Sequence, residues 1–204
     1  KFRTYIKLKD YGLTQPKTVL IPNEDELESA VEKLDTKFPI IMKTLRGSKG
    51  VGVLFIESER ALTSIVQLMY KTDSSSDLLI QEYIKSDFDV RVIVLGGKIV
   101  GTMQRDVVEG DFRSNYSQGA KVKSYKLSDL ETEQCLLASK ALDGILTAVD
   151  FIPSANPKTA PPFILEVNSS PGSEGIEEAN SGLNVAKTIL EHFKDIASRR
   201  TMWF

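Results

Sequence analysis

Apolar positions along this chain recur with a period near four in some stretches and of two in others, and the changes of period mark its elements. Residues 1–11 carry a helical pattern that Gly12 stops. Asn23, with Glu26 three residues on, has the spacing of a helix cap, and the stripe Leu27, Ala30, Val31 and Leu34 follows it. A strand is expected over residues 38–43, then the glycine-rich run "RGSKGVG", then a strand over 51–56. A helix starts at Ser58 with Leu62, Ile65, Val66 and Met69 on one face, and the polar tract "KTDSSSD" ends it. Next come a strand in "LLIQEYI" and a hairpin in "VRVIVLGGKIVGTM", where two glycines between β-branched runs suit a type I′ turn. Beyond the loop holding "EGDFRSN", a short strand is expected near 122–125. Ser128 and Glu131 then form a capping box for a helix to about Leu142. Strands in "LTAVDFI" and "PFILEVN" flank the proline-rich loop 153–161, and Ile189, Leu190, Phe193 and Ile196 give a last amphipathic helix. Strands and helices in small groups joined by hairpins predict an α+β fold in two lobes rather than a doubly wound sheet. The expected divisions are 1–16 (helix and connector), 17–77 (small lobe) and 78–204 (large lobe).

Composition narrows the partners. A net charge of −2 gives no electrostatic case for nucleic acid or an anionic membrane, so any basic site is local. No run of about 18 apolar residues reads as a membrane span. The single Cys135 cannot form an intrachain disulfide and sits in a helical pattern, which reads as buried filler in a reducing, cytoplasmic setting. The lone His192 reads as a surface or interface residue. The chain opens at Lys1 already in a helical pattern, which leads us to expect an upstream segment.

The glycine run invites several readings. A Walker A loop needs Gly-x-x-x-x-Gly-Lys-Ser/Thr ahead of a helix, whereas Gly47, Gly50 and Gly52 are spaced otherwise and lead into a strand. A dinucleotide fingerprint fails for want of a following helix N-terminus. A protein kinase needs His-Arg-Asp, but the one histidine precedes Phe193. A phosphate-gripping hairpin and a ligand-free surface hairpin both remain.

The second half holds stronger chemistry. Asp150 lies mid-strand in "AVDFI", and Glu166 and Asn168 share one face of "FILEVN" with Val167 opposite. Two carboxylates and an amide oxygen suit magnesium, which commonly bridges nucleotide phosphates; solvent-facing edge carboxylates are the alternative. Arg113, Ser114 and Asn115, with Arg105 upstream, can grip phosphate or carboxylate, or form a solvated loop. In "QEYIKSDFDVR", main-chain groups and Glu82 can meet an adenine and Asp89 a ribose, or the segment is an ordinary strand and turn.

Together these segments resemble the ATP-grasp superfamily and, within it, the RimK-type ATP-dependent carboxylate–amine ligases. The resemblance spans nearly the whole chain: "GSKGVGV" after a lysine-ended strand, "QEYI" followed by "DVR", "EGDFRSN", "AVDFI" and "LEVNSSPGSEGIE". It implies an ATP-grasp fold whose two α+β lobes, with largely antiparallel sheets, clasp ATP with magnesium or manganese, two ions in the full complement. It implies that Lys43, Ser48, Lys49, Gly50 and Gly52 contact phosphates and that Lys1 matches a further nucleotide-contacting lysine. Glu82, Tyr83, Ile84 and Asp89 would hold adenine and ribose. Arg113, Ser114 and Asn115 would face nucleotide and substrate, with Arg105 or Arg113 stabilising an acyl phosphate. Asp150, Glu166 and Asn168 would be the metal ligands.

The implied reaction adds glutamate, or a similar amino acid, to the C-terminal carboxylate of a protein or peptide, a ribosomal protein being one such acceptor. A small-molecule amino-acid ligase and a non-catalytic ATP-binding module are the alternatives, and assembly into a homo-oligomer stays open. Two departures bear on the acceptor. Tyr116, Ser117, Gln118, Gly119 and Ala120 replace the family's usual basic or histidine-containing segment ahead of a Gly-Gly pair. The small domain that normally precedes the grasp lobes is not among these 204 residues, so part of the substrate cleft is expected to lie outside them.

Overall fold

The computed structural model describes residues 1–45, 52–73, 77–107 and 120–200. Its first sheet is antiparallel and contains β1 (Thr18–Ile21), β2 (Ile40–Thr44), β3 (Val53–Ile56) and β4 (Leu78–Glu82), in the order β1-β4-β2-β3. Alternation sends Ile21, Ile40, Met42, Ile56, Leu78 and Ile80 to one face. There they form a core with Leu27, Ala30 and Leu34 of α2 (Leu27–Leu34) and Leu62 and Val66 of α3 (Glu59–Thr72). The opposite face carries Thr18, Lys43 and Gln81. The sequence division at 77/78 sets "LLIQE" in the second lobe; the structure corrects this, because β4 lies between β1 and β2, where Leu78 and Ile80 complete the first core.

The second sheet contains β5 (Phe88–Leu95), β6 (Lys98–Asp106), β7 (Val122–Lys123), β8 (Leu146–Ile152) and β9 (Phe163–Asn168). Its order is β7-β6-β5-β8-β9, again antiparallel. The β5–β6 turn is built as expected, with φ of 56° at Gly96 and 75° at Gly97, left-handed values that a side chain would strain. One face packs Val90, Val92, Val94, Val149, Phe151 and Ile164 against Leu8 of α1 (Phe2–Asp10) and Cys135, Ala138 and Ala141 of α4 (Asp129–Ala141). Cys135 is buried there, and burial pushes its thiol pKa well up, the condition of an inert packing residue.

On the other face Ile93, Met103 and Ala148 meet Ile176 of α5 (Glu174–Ala179) and Val185 of α6 (Val185–Arg200). Towards the far ends of the strands this face turns polar, and the candidate site begins there.

The expected caps form. Asn23 Oδ1 accepts from Glu26 N at 3.1 Å and Ser58 Oγ from Ala61 N at 3.3 Å. The Ser128–Glu131 box closes in both directions, at 3.2 and 2.8 Å. Two elements were not expected. β1 is four residues between two prolines, and α5 is a six-residue helix after the "SSPG" turn. No helix among the described residues is long and apolar enough to cross a membrane.

Candidate active site

Strand register assembles a row of charges on the polar end of the second sheet. Asp150 of β8 stands opposite Arg91 of β5 on one side and Glu166 of β9 on the other; Asp89 stands opposite Arg105 of β6. Directly opposed residues share a face. The Arg91 guanidinium grips Asp150 twice, Nε to Oδ1 at 2.7 Å and a terminal nitrogen to Oδ2 at 2.6 Å. Arg105 grips Asp89 in the same way at 2.6 and 2.8 Å, and one of its terminal nitrogens also reaches Asp150 Oδ2 at 3.1 Å.

Two arginines and two aspartates thus form a neutral, bidentately bonded quartet. Arg105 is 3% exposed and Asp150 5%, so neither charge would be tolerated there alone. Burial alone would raise the Asp150 pKa, but Arg105 and Arg91 more than offset it and hold the carboxyl below its usual range. Burial likewise opposes charge on Arg91, and Asp150 outweighs it, raising the arginine's pKa.

At the edge of this quartet Glu166 is exposed and Asn168 half-buried, side by side on β9. Neither side chain bonds to another described residue. Val167, between them, packs into the core behind, as alternation predicts. Among the described residues no three carboxylate, thiolate or imidazole groups form a ready-made metal cage. Two open oxygen donors beside a third, Asp150, nonetheless fit the demands of magnesium, which keeps several waters and takes few protein ligands. Asp150 can contribute despite its arginines. A carboxylate has about four acceptor positions; Arg91 and Arg105 fill two on Oδ2 and one on Oδ1, leaving one on Oδ1.

The first sheet supplies the cation. Lys43 lies on β2 with its Nζ 2.6 Å from Gln81 Oε1. Burial lowers its pKa, Glu166 raises it and Lys1 lowers it, leaving it at about 8. Lys43 of the first sheet is thus within electrostatic reach of both Lys1 and the second sheet's Glu166. Lys1 is exposed and donates its Nζ to Thr44 O at 2.6 Å. Gly52, with φ of 80°, is the turn residue just before β3; a Cβ there would collide with the Thr44 hydroxyl.

Glu82 closes β4 and accepts from Lys17 N at 3.2 Å. Tyr83 and Ile84 follow in the connection to β5, the Tyr83 ring standing edge-on to Phe55 at 5.0 Å. Ser48, Lys49, Gly50, Arg113, Ser114 and Asn115 lie outside the described residues. The structure thus brings together Asp89, Arg105, Asp150, Glu166 and Asn168 on one sheet, and Lys43 of the other sheet feels the charges of Glu166 and Lys1. What it shows of Asp89 and Arg105 is a buried ion pair. Arg91, Gln81 and Thr18 were not singled out from sequence. Arg91 stands two residues after Asp89 on a strand, so same-face alternation was the available signal.

A family model for the RimK-like ATP-grasp domain matches residues 1–193. The chain belongs to the RimK-like ATP-grasp family. Among curated relatives, a protein of Marinomonas sp. named "Probable alpha-L-glutamate ligase" is 35% identical over 199 residues, covering 97% of this chain and 64% of its own length. One of the same name from Coxiella burnetii is 36% identical over 193 residues, covering 94% and 62%. The chain therefore spans just under two thirds of the curated relatives it matches.

Solved structures agree in fold. A RimK domain ATP-grasp protein from Sphaerobacter thermophilus superposes with a TM-score of 0.70 at 18% identity, covering 93% of this chain and 65% of its own. The ATP-grasp ligase PsnB, solved with a precursor variant, Mg and ADP, gives 0.68 at 19%, covering 92% and 55%. The α+β fold expected from sequence is thus an ATP-grasp fold.

Proposed function

We propose that this RimK-like ATP-grasp chain is the nucleotide-binding and catalytic part of an ATP-dependent carboxylate–amine ligase that adds glutamate, or a similar amino acid, to the C-terminal carboxylate of a protein or peptide. The acceptor carboxylate attacks the γ-phosphorus of ATP, and the bond to the bridging oxygen breaks, releasing ADP and leaving an acyl phosphate. The amine of the incoming amino acid then attacks the acyl carbon, inorganic phosphate departs, and the amine loses a proton as the amide forms.

The observation that carries this reading is the electrostatic influence of Glu166, on the second sheet beside Asn168 and opposite the arginine-backed Asp150, on the Lys43 ammonium of the first. Phosphoryl transfer depends chiefly on positioning and charge neutralisation, and this row provides for both. Lys43 and Lys1 hold phosphate oxygens, with Ser48, Lys49, Gly50 and Gly52 completing the grip. Glu166, Asn168 and Asp150 would hold magnesium or manganese, one ion or two, which would offset phosphate charge there. Glu82, Tyr83, Ile84 and Asp89 border the adenosine. Arg105 and Arg113 place positive charge where the acyl phosphate forms, and Ser114 and Asn115 orient its partners. Relatives named as glutamate ligases and neighbours solved with precursor peptides support the choice of substrates.

Mass spectrometry of candidate acceptor peptides after incubation with ATP, magnesium and single amino acids tests the proposal. Added mass with ADP release that needs both acceptor and amine is the expected result. Ligation of free amino acids alone would replace the macromolecular acceptor with a small one, and ATP binding without turnover in the full-length protein would overturn the ligase reading.

A pH dependence follows from Lys43. Phosphate binding requires its ammonium form, so nucleotide affinity falls as pH rises above about 8, by up to tenfold per pH unit for one proton. The stability of the nucleotide-free protein moves the other way. Between about pH 8 and the ordinary lysine value near 10.4, the unfolded chain binds more protons at this residue, so folding gains as pH rises. Calorimetric titration with an ATP analogue between about pH 7 and pH 10 should show the loss, and Lys43→Met should flatten it.

A further inference from the structure

β4 reads "LLIQE", and its fourth residue, Gln81, is a polar side chain 7% exposed in a sheet of leucines and isoleucines. A buried amide costs folding free energy unless both its ends are bonded, and here both are. Lys43 Nζ donates to Gln81 Oε1 at 2.6 Å, Gln81 Nε2 donates to Thr18 Oγ1 at 2.7 Å, and the Thr18 hydroxyl donates to Pro16 O at 3.0 Å. The chain crosses three adjacent strands because Thr18 of β1 and Ile41 of β2 both pair with Gln81, and Lys43 lies two residues beyond Ile41 on the same face.

Its direction has one solution. A lysine ammonium can only donate, so the amide oxygen must face it and the amide nitrogen must face Thr18. The Thr18 hydroxyl accepts from that nitrogen and donates its one hydrogen to the Pro16 carbonyl, which can only accept. No buried side-chain polar atom among the described residues lacks a partner.

We infer that Gln81 and Thr18 are positioning residues for Lys43: the hydrogen-bond chain anchored at Pro16 holds the ammonium, before nucleotide arrives, where the phosphates will meet it. The inference rests on the reading of Lys43 as a phosphate ligand. Lysine carries its charge on a flexible four-carbon stem, and ordering that stem beforehand removes a cost that binding would otherwise bear. A leucine at position 81 would satisfy the sheet equally well, whereas the amide gives the ammonium its acceptor and ties that acceptor to Thr18.

The test measures the affinity of the full chain for a non-hydrolysable ATP analogue by calorimetry, with thermal unfolding of each variant alongside. Thr18→Val removes one hydroxyl at constant shape, Gln81→Leu removes the acceptor, and Thr18→Ser restores the hydroxyl. Loss of one hydrogen bond's worth of positioning predicts an affinity about three- to tenfold weaker in Thr18→Val and Gln81→Leu, with Thr18→Ser within about twofold of the parent. In a Lys43→Met background neither Thr18→Val nor Gln81→Leu should cost anything further, which a merely structural role would not produce. Equal losses with and without Lys43, or no loss in folded Thr18→Val, overturn the inference while the phosphate role of Lys43 stands. An unaltered affinity in Lys43→Met overturns that role itself and the inference with it.

Discussion

Glu166→Ala should abolish magnesium-dependent turnover while leaving the fold intact. The functional half follows from the donor set. Glu166 is the exposed carboxylate of the three proposed metal ligands, and the charge neutralisation they support is worth several kcal/mol, about three orders of magnitude in rate or more. The structural half follows from what Glu166 does not do. Its side chain bonds to no described residue, and it stands directly opposite another carboxylate, Asp150. Like charges opposed across a strand pair destabilise by about 0.2–1 kcal/mol, so the alanine variant should be as stable as the parent or slightly more so. Glu166 also raises the Lys43 pKa, so its loss weakens phosphate binding further above neutral pH. Turnover should therefore be compared at several pH values below about 8, where a loss through the metal site persists and a loss through Lys43 deprotonation shrinks as pH falls. Full activity there would remove Glu166 from the metal site, and a large fall in melting temperature would mean that the carboxylate has a structural role instead.

That opposition of Glu166 and Asp150 was legible in the sequence only by halves. Alternation within "FILEVN" puts residues 166 and 168 on one face because side-chain direction along a strand is a local property. The Gly96–Gly97 turn and the Ser128–Glu131 box are local in the same sense, and both form as their spacing predicts. The partners of Asp150 are not local. Arg91 is 59 residues away and reaches Asp150 only because β5 and β8 pair in one register; a slip by one residue would send it to the apolar face. Gln81 and Thr18 meet for the same kind of reason, 63 residues apart. The place of β4 was missed because the polar tract before it reads as a boundary, while its pairing with β1 depends on a four-residue strand too short to show a period. Chemistry carried on single elements was thus open to inspection, and chemistry made by register between elements was not.

Arg105→Met should be the most damaging change to the second sheet, costing about 3–5 kcal/mol, because it leaves a buried charge uncompensated. Arg105 is almost fully buried and makes two short bonds to Asp89 and one to Asp150. Without it Asp89 loses its bidentate counter-ion, and the neutral quartet becomes a cluster with one excess negative charge. Urea unfolding should show a lower midpoint at an unchanged slope, the sign of lost stability rather than an altered denatured state. The double variant Asp89→Leu/Arg105→Met separates charge balance from packing. It removes one charge of each sign, leaves Arg91 paired with Asp150, and should recover most of the lost stability, since a buried pair replaced by apolar groups is often neutral. Turnover should not return with it if Arg105 also supplies charge to the acyl phosphate. Recovery of fold without activity assigns Arg105 both duties only if affinity for an ATP analogue is unchanged; a weakened affinity assigns the loss to Asp89 at the adenosine. Recovery of both would confine Arg105 to balancing Asp89, take Asp89 out of the nucleotide site and leave the reacting phosphate to Arg113 and Lys43.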